Sequence, residues 1–197
     1  MNDLITNGTE IKKRIIFEIN NAKQSIKIAM AYFTDRDIAM AIVGAKNKKL
    51  EIDIILSSNE QNETVKLILK GSGISIHAFD TGDARGIMHH KFCLIDNKIT
   101  INGSYNYSLN ASNNNVENIQ ISDDLSTYNQ FLSEFERLKY NIDNQIADNN
   151  TMLEKENKAE ENKSENIIET FSKQIHNLVY SAAQIDTEEY KNKGYEQ

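Results

Sequence analysis

The sequence predicts an α/β fold, with one sheet between layers of helices. Segments with apolar residues at every second position alternate along the chain with segments whose apolar residues recur at a helical period. This strand–helix–strand order is typical of right-handed crossovers between neighbouring parallel strands. We therefore expect a layered α/β/α domain with a mixed, largely parallel sheet, followed by a C-terminal helical extension.

The first half of the chain is predicted as three strands separated by helices. The strands cover residues 24–33, 50–56 and 74–79, and the helices cover residues 9–22, 34–45 and 62–69. Thr9 is the candidate N-cap of the first helix, and Thr34 or Asp35 that of the second, because these side chains accept hydrogen bonds from first-turn amides.

The next stretch begins with a polar loop at residues 81–86, in which Arg85 is equally consistent with a phosphate contact and with a solvated arginine. Residues 92–95 form a continuous apolar run, which is typical of a buried strand. A hairpin-like turn at residues 96–98 leads to a strand at 99–101. Residues 111–115 are predicted as a polar loop and residues 116–121 as a strand.

The last third of the chain has a different pattern. Residues 125–142 are predicted as an amphipathic helix that covers the domain. Residues 144–166 have few large apolar side chains and fit either a solvated helix or a linker. Apolar spacing resumes over residues 167–185, and this second amphipathic helix needs its own domain, a twin chain or another protein as partner. We therefore divide the chain into a catalytic domain, 1–142, and an extension, 143–197.

Charge is distributed unevenly. Residues 1–122 carry 14 basic and 13 acidic side chains, whereas residues 123–197 carry 8 and 16, which together give the net charge of −7. The acidic balance therefore belongs to the C-terminal part. The sequence has neither an apolar run long enough for a membrane span nor a signal-peptide-like N-terminus, so a cytoplasmic protein is expected.

Two basic residues stand at the start of the apolar run at 92–95. His89 and Lys91 are two positions apart, so on a strand they project to the same face. A histidine and a lysine at this spacing are more often ordinary solvent-exposed residues. Two cations on one face at the start of a buried strand repel each other, however, and therefore favour a bound anion. A neutral imidazole can attack phosphorus, and an ammonium can bind a phosphate oxygen.

Neutral donors and a carboxylate follow at short distances. Ser104 and Asn106 offer a hydroxyl and an amide to phosphate oxygens. Gly103 lets the backbone approach a phosphate closely. Glu117 is placed to hold the tautomer of a catalytic histidine through its other ring nitrogen.

The pattern His89-x-Lys91-x4-Asp96, followed after six residues by Gly103-Ser104-x-Asn106, resembles the signature of the phospholipase D superfamily. With one copy of the motif, the chain looks most like the small bacterial Nuc-type endonucleases, over about residues 4–121. The resemblance implies a phospholipase D-like fold and phosphodiester hydrolysis. It assigns His89 as nucleophile or acid, Lys91, Ser104 and Asn106 as phosphate ligands, Glu117 as the residue that orients the histidine, and Asp96 as a mainly structural residue.

One motif per chain has a consequence for assembly. Phosphodiester cleavage by this chemistry needs a nucleophile and an acid on opposite sides of phosphorus. His77 and His176 lack the lysine and aspartate spacing, so a homodimer that shares one site is expected, as single-motif family members are described. No carboxylate cluster with metal-ligand spacing adjoins the motif. We therefore expect a metal-independent reaction through a phosphohistidine, without a cofactor.

Three functions remain open at this point. A nuclease for DNA or RNA is the leading one, although the nearly neutral catalytic half lacks the basic surface of a tight nonspecific binder. A phospholipase D acting on lipid head groups would need an apolar or basic membrane-facing surface, and none is obvious. A non-catalytic dimerisation or targeting module is disfavoured because the motif is intact.

Overall fold

The computed structural model describes residues 1–81 and 86–192, so Arg85 and the centre of the predicted loop lie outside the described residues. The strands are β1 (Asn2–Ile5), β2 (Ser25–Met30), β3 (Glu51–Ser57), β4 (Ser75–Phe79), β5 (Lys91–Ile95), β6 (Ile99–Gly103) and β7 (Ile119–Ser122). The helices are α1 (Gly8–Asn21), α2 (Arg36–Asn47), α3 (Glu63–Gly71), α4 (Leu109–Asn113) and α5 (Leu125–Asn192), and a 3₁₀ turn (Glu60–Asn62) precedes α3.

The strands form one mixed sheet in the order β1-β7-β6-β5-β2-β3-β4. The mixed sheet is confirmed, but the expectation that it is largely parallel is wrong. Among the described strands, only the β2–β3 and β3–β4 pairs are parallel, and the other four pairs are antiparallel. The reason lies in the short β5–β6 connection, since a tight turn can join only antiparallel neighbours.

Helices cover both faces of the sheet, which confirms the layered α/β/α architecture. Alternate residues of each central strand point to opposite faces, as the pleat requires. On β2, Ile26 and Ile28 join the larger core with α1, α2 and α3, whereas Ala29 joins a second core with the start of α5. The second core is built from Ala29, Ile55, Met88, Phe92, Leu94, Tyr128, Phe135, Leu138 and Ile142.

The helix starts agree only in part with the predicted caps. α1 begins after Asn7, whose side chain accepts a hydrogen bond of 3.1 Å from the amide of Glu10, so Thr9 lies inside the helix. α2 begins after Asp35 as expected, with one carboxylate oxygen accepting from the amides of the first turn. Asp35 is fully buried, and its other oxygen pairs with Lys12 Nζ at 2.7 Å.

Two local predictions are wrong, and one strand is missing from the predicted elements. β1 was not predicted, since it is short and pairs with β7 more than a hundred residues away. The predicted loop at residues 111–115 overlaps α4, whose start is capped by Ser108. The predicted strand at 116–121 begins later, at Ile119, so Glu117 lies in the loop before β7.

The C-terminal third is helical throughout its described part. α5 continues to Asn192, so of the two alternatives for residues 144–166 the helix is confirmed. The chain divides into two compact units, Met1–Asn144 and Gln145–Gln197. The assignment of residues 1–142 to catalysis and 143–197 to an extension stays a prediction. None of the described helices is long and apolar enough to cross a membrane.

Candidate active site

Strand register brings the predicted site residues to one edge of the sheet. β5 is antiparallel to both β2 and β6, with Lys91 opposite Met30 and Phe92 opposite Asn102. β6 in turn places Gly103 opposite Ile119. Three strand ends therefore lie side by side: the start of β5, the end of β6 and the start of β7. The motif residues lie at or next to these ends.

His89 and Lys91 occupy the start of β5. His89 is exposed, and Lys91 is half-buried with its Nζ donating to the His89 carbonyl oxygen at 2.8 Å. Partial desolvation of the ring, followed by the charges of Lys91 and His90, lowers the pKa of His89 below its ordinary value. This shift favours the neutral imidazole, which is the form that can act as a nucleophile.

The ammonium of Lys91 is held in a partly dry environment. Burial lowers the pKa of Lys91 below its ordinary value, and the nearby Glu117 carboxylate opposes this effect. A half-buried cation lacks part of its hydration, so a phosphate oxygen would replace water at little cost. The site is thus electrostatically suited to an anion.

Glu117 is held by residues of the loop that follows β6 and of the loop that precedes β7. It is buried, one oxygen accepts a short hydrogen bond from the Ser104 hydroxyl, and the other accepts from Asn115 Nδ2 at 2.9 Å. The Asn118 amide donates to Ser104 Oγ at 3.1 Å. Among the described residues no hydrogen bond joins Glu117 to the ring of His89, so its role in orienting that histidine stays a prediction.

Gly103 and Asn106 contribute in different ways. A Cβ at Gly103 would lie 2.1 Å from the Asn118 carbonyl oxygen, so the close approach here is to backbone preceding β7. Asn106 is half-buried, and its Oδ1 has no hydrogen-bond partner among the described residues. A buried acceptor without a partner is costly and is a common feature of functional sites.

Asp96 is used inside the fold. Its carboxylate accepts hydrogen bonds from the backbone amides of Lys23, Gln24 and Ser25 at 2.7 to 3.1 Å. Asp96 and Asn97 both have φ near +55°, a conformation that aspartate and asparagine tolerate better than most residues. These contacts tie the β5–β6 turn to the start of β2 and place Asp96 away from the phosphate edge.

Two asparagines that the sequence analysis did not identify organise the site. Asn115 binds Glu117, as described. Asn62 is fully buried; its Oδ1 accepts from the Phe33 amide at 2.7 Å, and its Nδ2 donates to two carbonyl oxygens, those of Ala31 and Ser57, at 2.9 Å. Buried amides of this kind give no periodic signal, so neither spacing nor composition could have identified them.

Other polar and aromatic groups of the motif region belong to the core. Tyr105 and Tyr107 are buried, and Tyr107 packs edge-on against Phe33 with ring centroids 5.1 Å apart. Cys93 is fully buried, and burial raises the pKa of its thiol to about 12. Among the side chains that the structure describes, no group of three or more His, Cys, Asp or Glu is arranged to hold a metal ion.

Fold and site together define an enzyme that acts on a phosphate ester. A neutral imidazole, an ammonium, a hydroxyl and an amide flank one open edge of a mixed sheet. Residues 15–139 match the family model described as "Cardiolipin synthase, PLD-like domain". The chain belongs to the phospholipase D superfamily and is a phosphodiester hydrolase of that class.

Relatives and solved structures agree with this assignment. Mitochondrial cardiolipin hydrolase of Xenopus laevis is 28% identical over 147 residues, which are 74% of this chain and 68% of that protein. A protein named phospholipase D from Rickettsia prowazekii is 30% identical over 122 residues, 61% of this chain and 58% of its own length.

The fold is that of two solved bacterial proteins. NucT from Helicobacter pylori is 28% identical with a TM-score of 0.64, covering 71% of this chain and 96% of its own. Nuc from Salmonella typhimurium, a phospholipase D family member, is 22% identical with the same TM-score, covering 71% and 95%. The predicted phospholipase D-like fold is confirmed.

Proposed function

We propose that this protein is a metal-independent endonuclease that hydrolyses DNA or RNA through a covalent phosphohistidine on His89. The observation that carries the proposal is the exposed, neutral imidazole beside the Lys91 ammonium at an open edge of the sheet. Because this end of the sheet is open to solvent, a nucleic acid chain can extend past the site in both directions. The motif's resemblance to Nuc-type endonucleases supports a nucleic acid as the substrate.

The proposed reaction has two steps, the formation of the phosphohistidine and its hydrolysis. A ring nitrogen of one His89 attacks phosphorus, the ester P–O bond breaks, and an acid gives a proton to the departing oxygen. Water then attacks phosphorus, the group that acted as acid takes a proton from this water, and the P–N bond breaks to release the phosphate product and the neutral imidazole. Lys91, Ser104 and Asn106 bind the non-bridging oxygens, on which negative charge is held during both transfers.

The acid is His89 of a second copy of the chain. Three apolar side chains, two in loops and one at the start of α4, are exposed: Ile87 by 43%, Leu109 by 57% and Val116 by 99%. Exposed apolar residues grouped around a functional edge favour a covered interface. Two copies that meet here would place both imidazoles on one phosphate, where they titrate as a coupled pair with one neutral and one protonated.

The second unit supports self-association independently. Its described apolar side chains are all at least half exposed: Ile146, Met152, Leu153, Ile167, Ile168, Phe171, Ile175, Leu178 and Val179. Ile168, Phe171, Ile175 and Leu178 repeat at alternating steps of three and four, the spacing of a coiled-coil seam. Among its own domain, a twin and another protein, this spacing favours the twin.

A phospholipase D acting on lipid head groups is the second candidate. Proteins named mitochondrial cardiolipin hydrolase are among the relatives. The exposed side chains of Ile87, Leu109 and Val116 would suit insertion between lipid head groups as well as a protein interface. A cytoplasmic location stays a prediction.

A parallel assay on three substrates distinguishes the nuclease from the lipid hydrolase. Wild-type protein is incubated with single-stranded DNA, RNA and cardiolipin vesicles in parallel, with His89→Asn as the matched control in each. Cleavage of nucleic acid that is lost in His89→Asn supports the proposal. Release of lipid products together with intact nucleic acid would replace the nuclease by the lipid hydrolase.

A further inference from the structure

A cleft of about 470 Å³ adjoins the phosphate edge, within the range of small-molecule sites. It is lined by Tyr32, Thr34, Gln61, Asn106, Ser108, Leu109, Asn110 and Asn115. It shares Asn106 with the candidate phosphate ligands, and Asn115 binds Glu117. None of these lining residues is charged, in contrast to the site beside it.

The walls of the cleft are fixed by hydrogen bonds. The backbone of residues 31–34 is held by the buried Asn62 side chain and by the Tyr107 carbonyl oxygen, which accepts from Thr34 N at 2.8 Å. On the opposite wall, Asn110 Nδ2 donates to Asn115 Oδ1 at 3.0 Å, and Ser108 caps α4. The cleft is therefore preformed, which lowers the entropy cost of binding.

Three lining side chains are not used in this framework. Tyr32, Thr34 and Gln61 make no side-chain hydrogen bond to another described residue, whereas Ser108, Asn110 and Asn115 do. Tyr32 is half-buried, so its ring is partly supported and partly open. The free groups are one aromatic ring, two hydroxyls and one amide, next to a buried acceptor on Asn106 that lacks a partner.

These groups match the chemistry of a nucleoside. A nucleobase is uncharged, offers a flat face for stacking on an aromatic ring, and has donors and acceptors at its edge for an amide. An acyl chain would leave the amides and hydroxyls of this cleft unpaired, at a cost for each buried group. The lining therefore favours a base over a lipid tail.

We propose that this cleft binds the nucleoside adjoining the scissile phosphate, with the base stacked on Tyr32 and its edge bonded to Gln61. The inference rests on the proposed nuclease function and adds the residues that select a nucleoside substrate. Tyr32 and Gln61 are specificity residues that contact the substrate away from the phosphate, so they act on binding and leave the chemistry at His89 unchanged.

The test compares a substrate that has bases with one that has none. Steady-state kinetics are measured on a single-stranded oligonucleotide and on an oligonucleotide of the same length whose sugars carry no bases, for wild type, Tyr32→Ala, Tyr32→Phe and Gln61→Ala. Tyr140→Ala and Gln130→Ala are the matched controls, because both residues are exposed on α5 away from the cleft. Thermal melts establish that each variant is folded.

We expect Tyr32→Ala to raise KM for the oligonucleotide about five- to fifty-fold, as the loss of one stacked base does. Tyr32→Phe keeps the ring and stays close to wild type, and Gln61→Ala gives a smaller rise in KM. Turnover of the abasic oligonucleotide is unchanged in all of them. Unaltered oligonucleotide kinetics in the folded variants, or equal losses on both substrates, would overturn the nucleoside site while leaving the nuclease intact. A wild-type protein that cleaves neither oligonucleotide would refute the nuclease and this inference together.

Discussion

Removing the Asp96 carboxylate should destabilise the compact unit Met1–Asn144 without changing the groups of the candidate active site. Asp96→Ala leaves the amides of Lys23, Gln24 and Ser25 without their acceptor. The amides of Lys23 and Gln24 lie in exposed residues where water replaces the lost bonds, and only that of Ser25 lies in a buried residue. With roughly 1 kcal/mol for each exposed amide, as for a lost N-cap, and a little more for the buried one, we expect about 2–3 kcal/mol.

Asn97→Ala is the matched control for this prediction. Asn97 shares the positive φ of Asp96, so alanine suffers the same backbone strain at both positions. Its side chain accepts one bond of 3.2 Å from the Tyr128 hydroxyl and none from the amides of residues 23–25. Tyrosine near-UV circular dichroism during urea unfolding follows the unit Met1–Asn144, which contains buried tyrosines. Equal free energies of unfolding for the two variants would refute the structural role of the carboxylate.

Three further predictions concern pH, metal and the C-terminal unit. Burial and the Lys91 charge lower the pKa of His89, so its NMR titration midpoint should lie below the ordinary value and rise in Lys91→Met; an unchanged midpoint would contradict the electrostatic argument. The nucleophile must be neutral, so the acid limb of activity should move with that midpoint. Excess EDTA should leave cleavage intact, and loss that Mg²⁺ or Mn²⁺ restores would show a metal requirement. Truncation after Ile142 should leave a folded domain of lower dimer stability, measured by light scattering; an unfolded product would place the boundary elsewhere.

The sequence predicted the architecture where periodicity was strong. The apolar run at residues 92–95 and the alternation in β2 and β3 located the central strands correctly, because buried strands carry a dense apolar signal. Short elements with a weak apolar pattern were not predicted. β1 has four residues, only part of which are shielded, and its pairing with β7 depends on contacts across almost the whole compact unit.

Strand direction was harder to predict than strand position. Local pattern shows that residues 92–95 form a strand, but not that β5 inserts between β6 and β2 with the opposite direction to β2. That insertion brings the ends of β5, β6 and β7 to one edge. The motif spacing identified the candidate site residues without any knowledge of the strand register. It depends on which side chains the reaction needs and not on how the strands are paired.

The supporting contacts of the site depend on single hydrogen bonds. Asn115, which donates to Glu117, and Asn62, which anchors the loop after β2, lie in polar stretches that look like ordinary loop sequence. Residues 144–166 pose a related limit, because a polar segment without an apolar stripe has the same composition whether it is helical or irregular. In both cases the structure depends on polar interactions, which do not change the spacing of apolar residues in the sequence.

The most direct test of the central claim is the turnover of a mixed dimer. Differently tagged wild-type and His89→Asn chains are co-expressed, the heterodimer is purified, and its rate on a nucleic acid substrate is compared with both homodimers. If one His89 attacks while its twin donates the proton, the heterodimer lacks one of the two roles at its shared site, and its rate falls close to that of the mutant homodimer. A heterodimer with half of the wild-type rate would mean that each chain carries an independent site, and the shared-site mechanism would be wrong.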